Sequence, residues 1–235
     1  MIRKNIPNTI TLLNLFFGFV GIIAVFQSRL NIVLISLTAS LVLDFLDGFA
    51  ARLLKAQSEI GTQLDSLSDV VSFGLLPGIM LFSMLSDLCD SNSLLPYVSG
   101  LVPMFTALRL AKFNIDPEQA HYFKGLPSPA NAIFIASFYW LYNVSVSNPI
   151  NILFQKLTQQ KVFLILLILI CCFLLVSNIK LVSFKMKDFS IKNNYLRYIV
   201  IFTSVISVAF FGIGGISLSV ILYVAISQYK RELIN

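Results

Sequence analysis

Charge is what this chain has least of. Only 12% of its residues are Asp, Glu, Lys or Arg, while 57% are hydrophobic and the mean hydropathy is +0.85. An ordinary soluble domain is about 25% charged, so a soluble globular fold is excluded. The apolar runs are continuous, not short and alternating, which excludes a β-barrel. The expectation is an all-α, polytopic membrane helix bundle. Its 235 residues suit one membrane domain and leave no room for a soluble one. Cysteine is sparse too: Cys89, Cys171 and Cys172. The last two are adjacent in an apolar run, which excludes a disulfide framework and a metal-ligand spacing and leaves packing as their role. The one histidine, His121, lies in a polar loop with Asp116 and Glu118 and reads as solvated, not as a catalytic base. The net charge of +6 has no basic stripe interleaved with aromatics behind it, so no nucleic-acid partner is expected.

The N-terminal Arg3-Lys4 followed by an apolar run resembles a signal peptide, but it lacks a small-x-small cleavage site, and Pro7-Asn8-Thr9 interrupts its start. It reads as a first transmembrane helix. At about 20 apolar residues per crossing, eight spans are expected near 9–27, 30–56, 63–86, 94–113, 128–147, 161–179, 197–212 and 215–229. The last two divide an uncharged stretch, Tyr198 to Tyr229, at Gly212-Ile-Gly214-Gly215. With the N-terminus inside, fourteen of the seventeen basic residues fall on one side, and only Arg29, Lys156 and Lys161 on the other. That is the positive-inside bias of a cell membrane protein.

Against this background stand four aspartates, Asp44, Asp47, Asp65 and Asp69, at the cytoplasmic ends of the second and third spans. Carboxylates are costly in a bilayer and ask for a compensating charge. Asp44, Asp47, Gly48, Ala51 and Arg52 lie at i, i+3, i+4, i+7 and i+8, one face of a helix. Ser58, Gly61, Asp65 and Asp69 follow at steps of three, four and four, again one face. Two antiparallel helices can bring these faces together, with Gly48, Ala51 and Gly61 leaving room for a ligand or for close backbone approach. All-oxygen ligation selects hard cations such as Mg²⁺, Mn²⁺ or Ca²⁺. Four carboxylates suffice for two ions, which can clamp both sides of a phosphoryl displacement. Arg52 suits a phosphate.

The full pattern, D-x2-D-G-x2-A-R-x8-G-x3-D-x3-D, resembles the signature of the CDP-alcohol phosphatidyltransferases at every position. The resemblance covers roughly residues 5–180. It implies a six-helix catalytic core within 1–180, followed by a C-terminal helix pair in 181–235. It further implies two divalent cations, Mg²⁺ or Mn²⁺. Asp44 and Asp65 would bridge both ions, Asp47 would complete the first site, and Asp69 would serve the second and act as general base. Gly48, Arg52 and Ser58 fall where the family contacts the CDP moiety. Asn8 and Thr11 match the early segment that touches the nucleotide in relatives; a helix N-cap at Asn8 or Thr9 is the competing reading. Relatives are homodimers.

Four further strings resemble the phosphatidylserine synthase branch: Ile6-Pro-Asn-Thr-Ile-Thr-Leu-Leu-Asn14, Asp65-Ser-Leu-Ser-Asp-Val-Val-Ser-Phe-Gly74, Arg109-Leu-Ala-Lys-Phe-Asn114 and Lys124-Gly-Leu-Pro-Ser-Pro-Ala130. The third carries Lys112 where the branch has Arg. The implied substrates are CDP-diacylglycerol and L-serine. Arg109 and Lys124 can hold the serine carboxylate, or merely snorkel; Asn114, Ser66 or Ser68 can orient the rest. An acceptor such as glycerol 3-phosphate, which brings its own phosphate, would want a denser basic patch. A cation transporter is a poorer match, because all four carboxylates collect at one end and the motif has no second copy.

Overall fold

The computed structural model describes residues 2–115, 123–182 and 190–229. They form a helical bundle, apart from one short antiparallel pairing of Phe123–Lys124 (β1) with Lys180–Leu181 (β2). The chain divides into two compact units, Met1–Ile115 and Asp116–Asn235.

The first unit begins with a hairpin of α1 (Ile2–Phe26) and α2 (Leu30–Leu53). Ser28 turns it with φ +53°. Then come α3 (Glu59–Asp69), a π-helical turn over Val70–Leu75 and α4 (Leu76–Leu88), which together make one 30-residue rod, Glu59–Leu88. A 3₁₀ turn over Leu95–Gly100 leads into α5 (Leu101–Ile115). Helix α1 is the spine of this unit and packs against α2, α3, the π turn and α4. It does so through small side chains. A Cβ on Gly18 would lie 2.5 Å from Ser72 Oγ, and one on Gly21 would lie 2.8 Å from Leu76 Cδ2. Larger residues at either position would push the rod off α1.

The second unit holds α6 (Ser128–Asn143), α7 (Pro149–Thr158), α8 (Lys161–Val176), α9 (Ile191–Phe211) and α10 (Ile213–Tyr229). Cys171 and Cys172 are free and buried in α8, as packing residues would be. The final apolar stretch is two helices, parted at Gly212 with φ +56°.

Large apolar side chains point outward from many of these helices. Phe45, Ile35 and Phe202 are each about two-thirds exposed, which suits lipid rather than water. Among the described residues, four helices are long and apolar enough to cross a membrane, Asn5–Phe26, Leu30–Leu53, Glu59–Leu88 and Asn194–Phe211, and the bent pair Pro149–Thr158 with Lys161–Val176 makes a fifth if it is one span. The helices at the other four expected spans have 15 to 17 residues. At 1.5 Å per residue they reach about 22–26 Å, short of a ~30 Å hydrocarbon core.

Three expectations need correction. The first helix starts at Ile2, not near residue 9, so Pro7, Asn8 and Thr9 are helical and neither Asn8 nor Thr9 is an N-cap. The Thr9 and Thr11 hydroxyls bond back to the carbonyls of Asn5 and Pro7, in the manner of helix-interior threonines. The third helix begins at Glu59, four residues early, because Ser58 caps it. The expected loop after 147 contains α7, a ten-residue helix bent 93° from α8. Asn148 caps it by accepting from Ile150 N–H at 3.0 Å.

Candidate active site

The last turns of α2, the first turns of α3 and the N-terminal third of α1 build one site. Helix α2 ends at Leu53; Lys55 then takes a left-handed backbone, φ +50°, and Ala56 N–H returns to Ala51 C=O at 2.9 Å. This tight reversal lets Ser58 open α3. Its backbone is extended, and its hydroxyl oxygen accepts from Gly61 N–H at 3.1 Å. Asp65 follows Gly61 by four residues, and Asp69 follows Asp65 by four. Both therefore lie on the face that Gly61 presents.

The two carboxylate faces do meet, but not by close packing of α2 on α3. Both helices pack on α1, and an open cleft of about 180 Å³ lies above it. Asn8, Thr11, Asp47, Gly48, Arg52, Ser58, Gly61 and Asp65 all line it. Asp44, Asp47 and Asp65 each offer an oxygen, and these atoms lie within 4.8 Å of one another. Such spacing suits a shared divalent cation, with which carboxylates form short bonds. Asp47 is buried, and Asp65 Oδ1 is buried with no hydrogen-bond partner. Orphaned oxygens of this kind cost free energy unless a cation or water takes them. The donor set is hard oxygen throughout and fits Mg²⁺ or Mn²⁺.

Asp69 stands outside this trio. It is buried, its Oδ1 also lacks a partner, and its carboxylate is within electrostatic reach of the other three and of Arg109. Arg109, on α5, is thus the cation that the fold itself brings to the acidic cluster. Beside it, Asn114 Nδ2 donates to Ser66 Oγ at 2.8 Å, tying α5 to α3. Three of the five residues expected to meet an acceptor therefore collect along this seam. Ser68 does not face it: it is fully buried, and its hydroxyl donates to Thr11 C=O at 3.0 Å. Lys124 lies in β1, with its side chain outside those described, and His121 with Asp116 and Glu118 falls outside the described residues.

The motif glycines differ in what they are for. A Cβ on Gly61 would press on Ser58 Oγ at 3.0 Å and Asn8 Oδ1 at 3.1 Å, so packing within the protein is tight there. A Cβ on Gly48 would meet only Arg52, at 3.6 Å, an ordinary contact. The space above Gly48 is open and belongs to the cleft, with the exposed Arg52 at its edge.

The profile of the CDP-alcohol phosphatidyltransferase family matches residues 4–176. The chain belongs to this family. A CDP-diacylglycerol–serine O-phosphatidyltransferase of Helicobacter pylori is 31% identical over 188 residues, covering 79% of this chain and 75% of that protein. The enzyme of the same name from Bacillus subtilis is 31% identical over 142 residues, 59% of this chain and 77% of its own length. An archaetidylserine synthase of Methanothermobacter thermautotrophicus is 35% identical over 137 residues, 57% of each chain. Like other CDP-alcohol phosphatidyltransferases, the chain is a membrane-bundle transferase.

Several residues that shape the site were not singled out from sequence. Ser40 and Ser72 donate to Asn14 C=O at 3.2 and 3.0 Å, and with Ser68 they stitch α2 and the rod to α1. Their signal was the run Asn8, Thr11, Asn14, Gly18 at steps of three, three and four, a small and polar stripe in an otherwise apolar helix. The Lys124-Gly-Leu-Pro string has a structural part as well. Gly125, at φ +74°, sits against the carbonyls of Leu174, Leu175 and Ser177, and Leu126 N–H bonds Leu174 C=O at 2.9 Å. These contacts close the C-terminal end of α8, where helical carbonyls would otherwise lack donors.

Proposed function

We propose that the protein transfers the phosphatidyl group of CDP-diacylglycerol to the hydroxyl of L-serine, giving phosphatidylserine and CMP. In this reading the core lies in 1–180 with a C-terminal helix pair in 181–235. The protein sits in the cell membrane as a homodimer, and the carboxylate site faces the cytoplasm. The observation that carries the reading is the convergence of Asp44, Asp47 and Asp65 on one point beside an open polar cleft, with Arg109, Ser66 and Asn114 on the neighbouring seam. The names of the relatives support serine as the acceptor.

Asn8, Gly48, Arg52 and Ser58 hold the CDP moiety: Gly48 lets it approach the helix, and Arg52 pairs with a phosphate. Asp44, Asp47, Asp65 and Asp69 hold two divalent cations, Mg²⁺ or Mn²⁺. When bound, these supply positive charge to the diphosphate and to the departing CMP. Arg109 pairs with the serine carboxylate, and Ser66 and Asn114 orient the amino acid. Asp69 accepts the proton of the serine hydroxyl, a weak nucleophile without such help. The serine oxygen attacks the phosphorus that carries diacylglycerol; a new P–O bond forms there as the bond from that phosphorus to the CMP oxygen breaks.

The test is CMP release by the purified protein from CDP-diacylglycerol with Mn²⁺ or Mg²⁺ and, separately, serine, glycerol 3-phosphate or inositol phosphate. Release with serine alone is expected. Release with glycerol 3-phosphate and none with serine would sink the assignment of the acceptor while leaving the metal and nucleotide roles standing.

A further inference from the structure

The N-terminal stripe of α1 does two different things within one helical turn. Asn8 is half-exposed and lines the cleft, where its Oδ1 would lie 3.1 Å from a Cβ on Gly61. Thr11, three residues deeper, is only 3% exposed. Its hydroxyl carries one hydrogen and has two acceptors in reach: Asp47 Oδ2 at 2.7 Å and Pro7 C=O at 3.0 Å. The carboxylate is nearer and charged, and a hydrogen bond to a charged acceptor is roughly twice as strong as one between neutral groups. A hydroxyl used in this way has no hydrogen left for a nucleotide.

The backbone around Thr11 is fixed independently. Ser68 Oγ donates to the Thr11 carbonyl at 3.0 Å, while Ser40 and Ser72 do the same for Asn14 one turn on. The stretch of α1 that carries the Thr11 hydroxyl is therefore anchored to α2 and to the rod that carries Asp65 and Asp69. Asp47 lies buried in the last two turns of α2, where Thr11 is its side-chain donor and the Gly48 backbone its other. Hydrogen bonds from outside the ligand shell commonly fix the orientation of a metal-binding side chain, and losing one typically costs 10–100-fold in affinity.

We infer that Thr11 is a positioning residue, which by donating to Asp47 holds that carboxylate in the orientation that keeps an oxygen within reach of the Asp44 and Asp65 oxygens around a divalent cation. It acts through Asp47, a role beyond the nucleotide contact that sequence resemblance implied. The inference rests on the metal roles proposed above, and not on the identity of the acceptor.

The experiment is a Mn²⁺ titration of the purified full-length protein in detergent, without substrates, following the electron paramagnetic resonance signal of free Mn²⁺. Thr11→Val keeps the shape and removes the hydroxyl; it is expected to weaken Mn²⁺ binding by about tenfold or more. Thr11→Ser restores the donor and should return affinity to within about twofold of the parent. CDP binding in the absence of metal should be unchanged in both. Thr11→Val with parental Mn²⁺ affinity overturns the inference, as does a Thr11→Ser variant as weak as Thr11→Val. So does weakened metal-free CDP binding with Mn²⁺ affinity intact. If Thr11→Val does not fold, Thr11→Cys, whose thiol is a weak donor, takes its place, and parental affinity there overturns the inference equally. A parent protein that binds no Mn²⁺ at all sinks the metal roles themselves, a result distinct from a parent that binds and a variant that does not differ.

Discussion

The two units bury polar groups on different terms. In the first, Asp47 and Asp69 are buried carboxylates, and oxygens of Asp65 and Asp69 have no partner. In the second, the buried polar side chains among the described residues are neutral, and most close on one another or on backbone. Ser137 and Ser217 share a hydrogen bond at 2.6 Å, Asn151 Nδ2 donates to Phe211 C=O at 3.1 Å, and Tyr223 OH donates to Val182 C=O at 3.0 Å. Asn131 has both amide atoms unpartnered, and Asn151 Oδ1 and Gln228 Nε2 also lack partners. Neutral groups that satisfy each other hold helices together. Charged groups left open in an apolar surround cost free energy and call for a ligand. Buried polarity is structural in the second unit, whereas in the first the structural serines stand beside open carboxylates.

Neutralising a carboxylate is the strongest way to break that contrast. Asp65→Asn keeps the side-chain shape and removes one of four clustered negative charges. Turnover, measured as CMP release, should fall by about a thousandfold, since the lost group acts on charge in the transition state. Thermal stability of the metal-free protein should hold or rise, because repulsion among the remaining carboxylates is relieved. A variant that unfolds early yet keeps its turnover would make the cluster structural and erase the difference between the units.

Gly48→Ala sharpens the contrast within the first unit. Alanine in a helix interior is favoured over glycine by up to about 1 kcal/mol, and its Cβ meets nothing closer than 3.6 Å. Stability should therefore be unchanged or higher. The same methyl stands where a ligand approaches the helix, so the KM for CDP-diacylglycerol should rise about tenfold, the equivalent of 1.4 kcal/mol. Gly61→Ala should instead lower stability, since its Cβ would crowd Ser58 and Asn8. Equal behaviour of the two glycine variants would show that Gly48 serves packing after all.

The acidic constellation was legible because helical periodicity is strict: residues three and four apart share a face whatever surrounds them, so Asp44, Asp47, Asp65 and Asp69 could be placed on two faces from numbering alone. The bundle class was legible from charge scarcity. The support of those carboxylates was not. Thr11 reads as a ligand contact until the burial of its hydroxyl is known, and a serine such as Ser40 or Ser72 looks the same in a sequence whether it faces lipid or a carbonyl. The π turn after Asp69 has no residue signature; it follows from how Gly74 and Ser72 fit against Thr106 and Asn14, which are contacts far apart in sequence. Helix α7 escaped because ten residues with polar flanks are too short to register as a span.

The smallest expected effect tests the second unit. Ser217 on α10 is fully buried, and its hydroxyl meets Ser137 of α6. Ser137 also donates to Phe134 C=O at 2.7 Å, so removing Ser217's hydroxyl leaves Ser137 with an acceptor and costs only the link between helices. Side-chain hydrogen bonds between membrane helices average about 0.6 kcal/mol, and Ser217→Ala also leaves a void of one oxygen atom. A loss of under about 1 kcal/mol in unfolding free energy is expected, with turnover and both substrate KM values unchanged. Unchanged stability with impaired turnover would mean that the neutral seam of α6 and α10 reaches the chemistry. The division between a structural and a chemical use of polarity would then no longer follow the division of the chain.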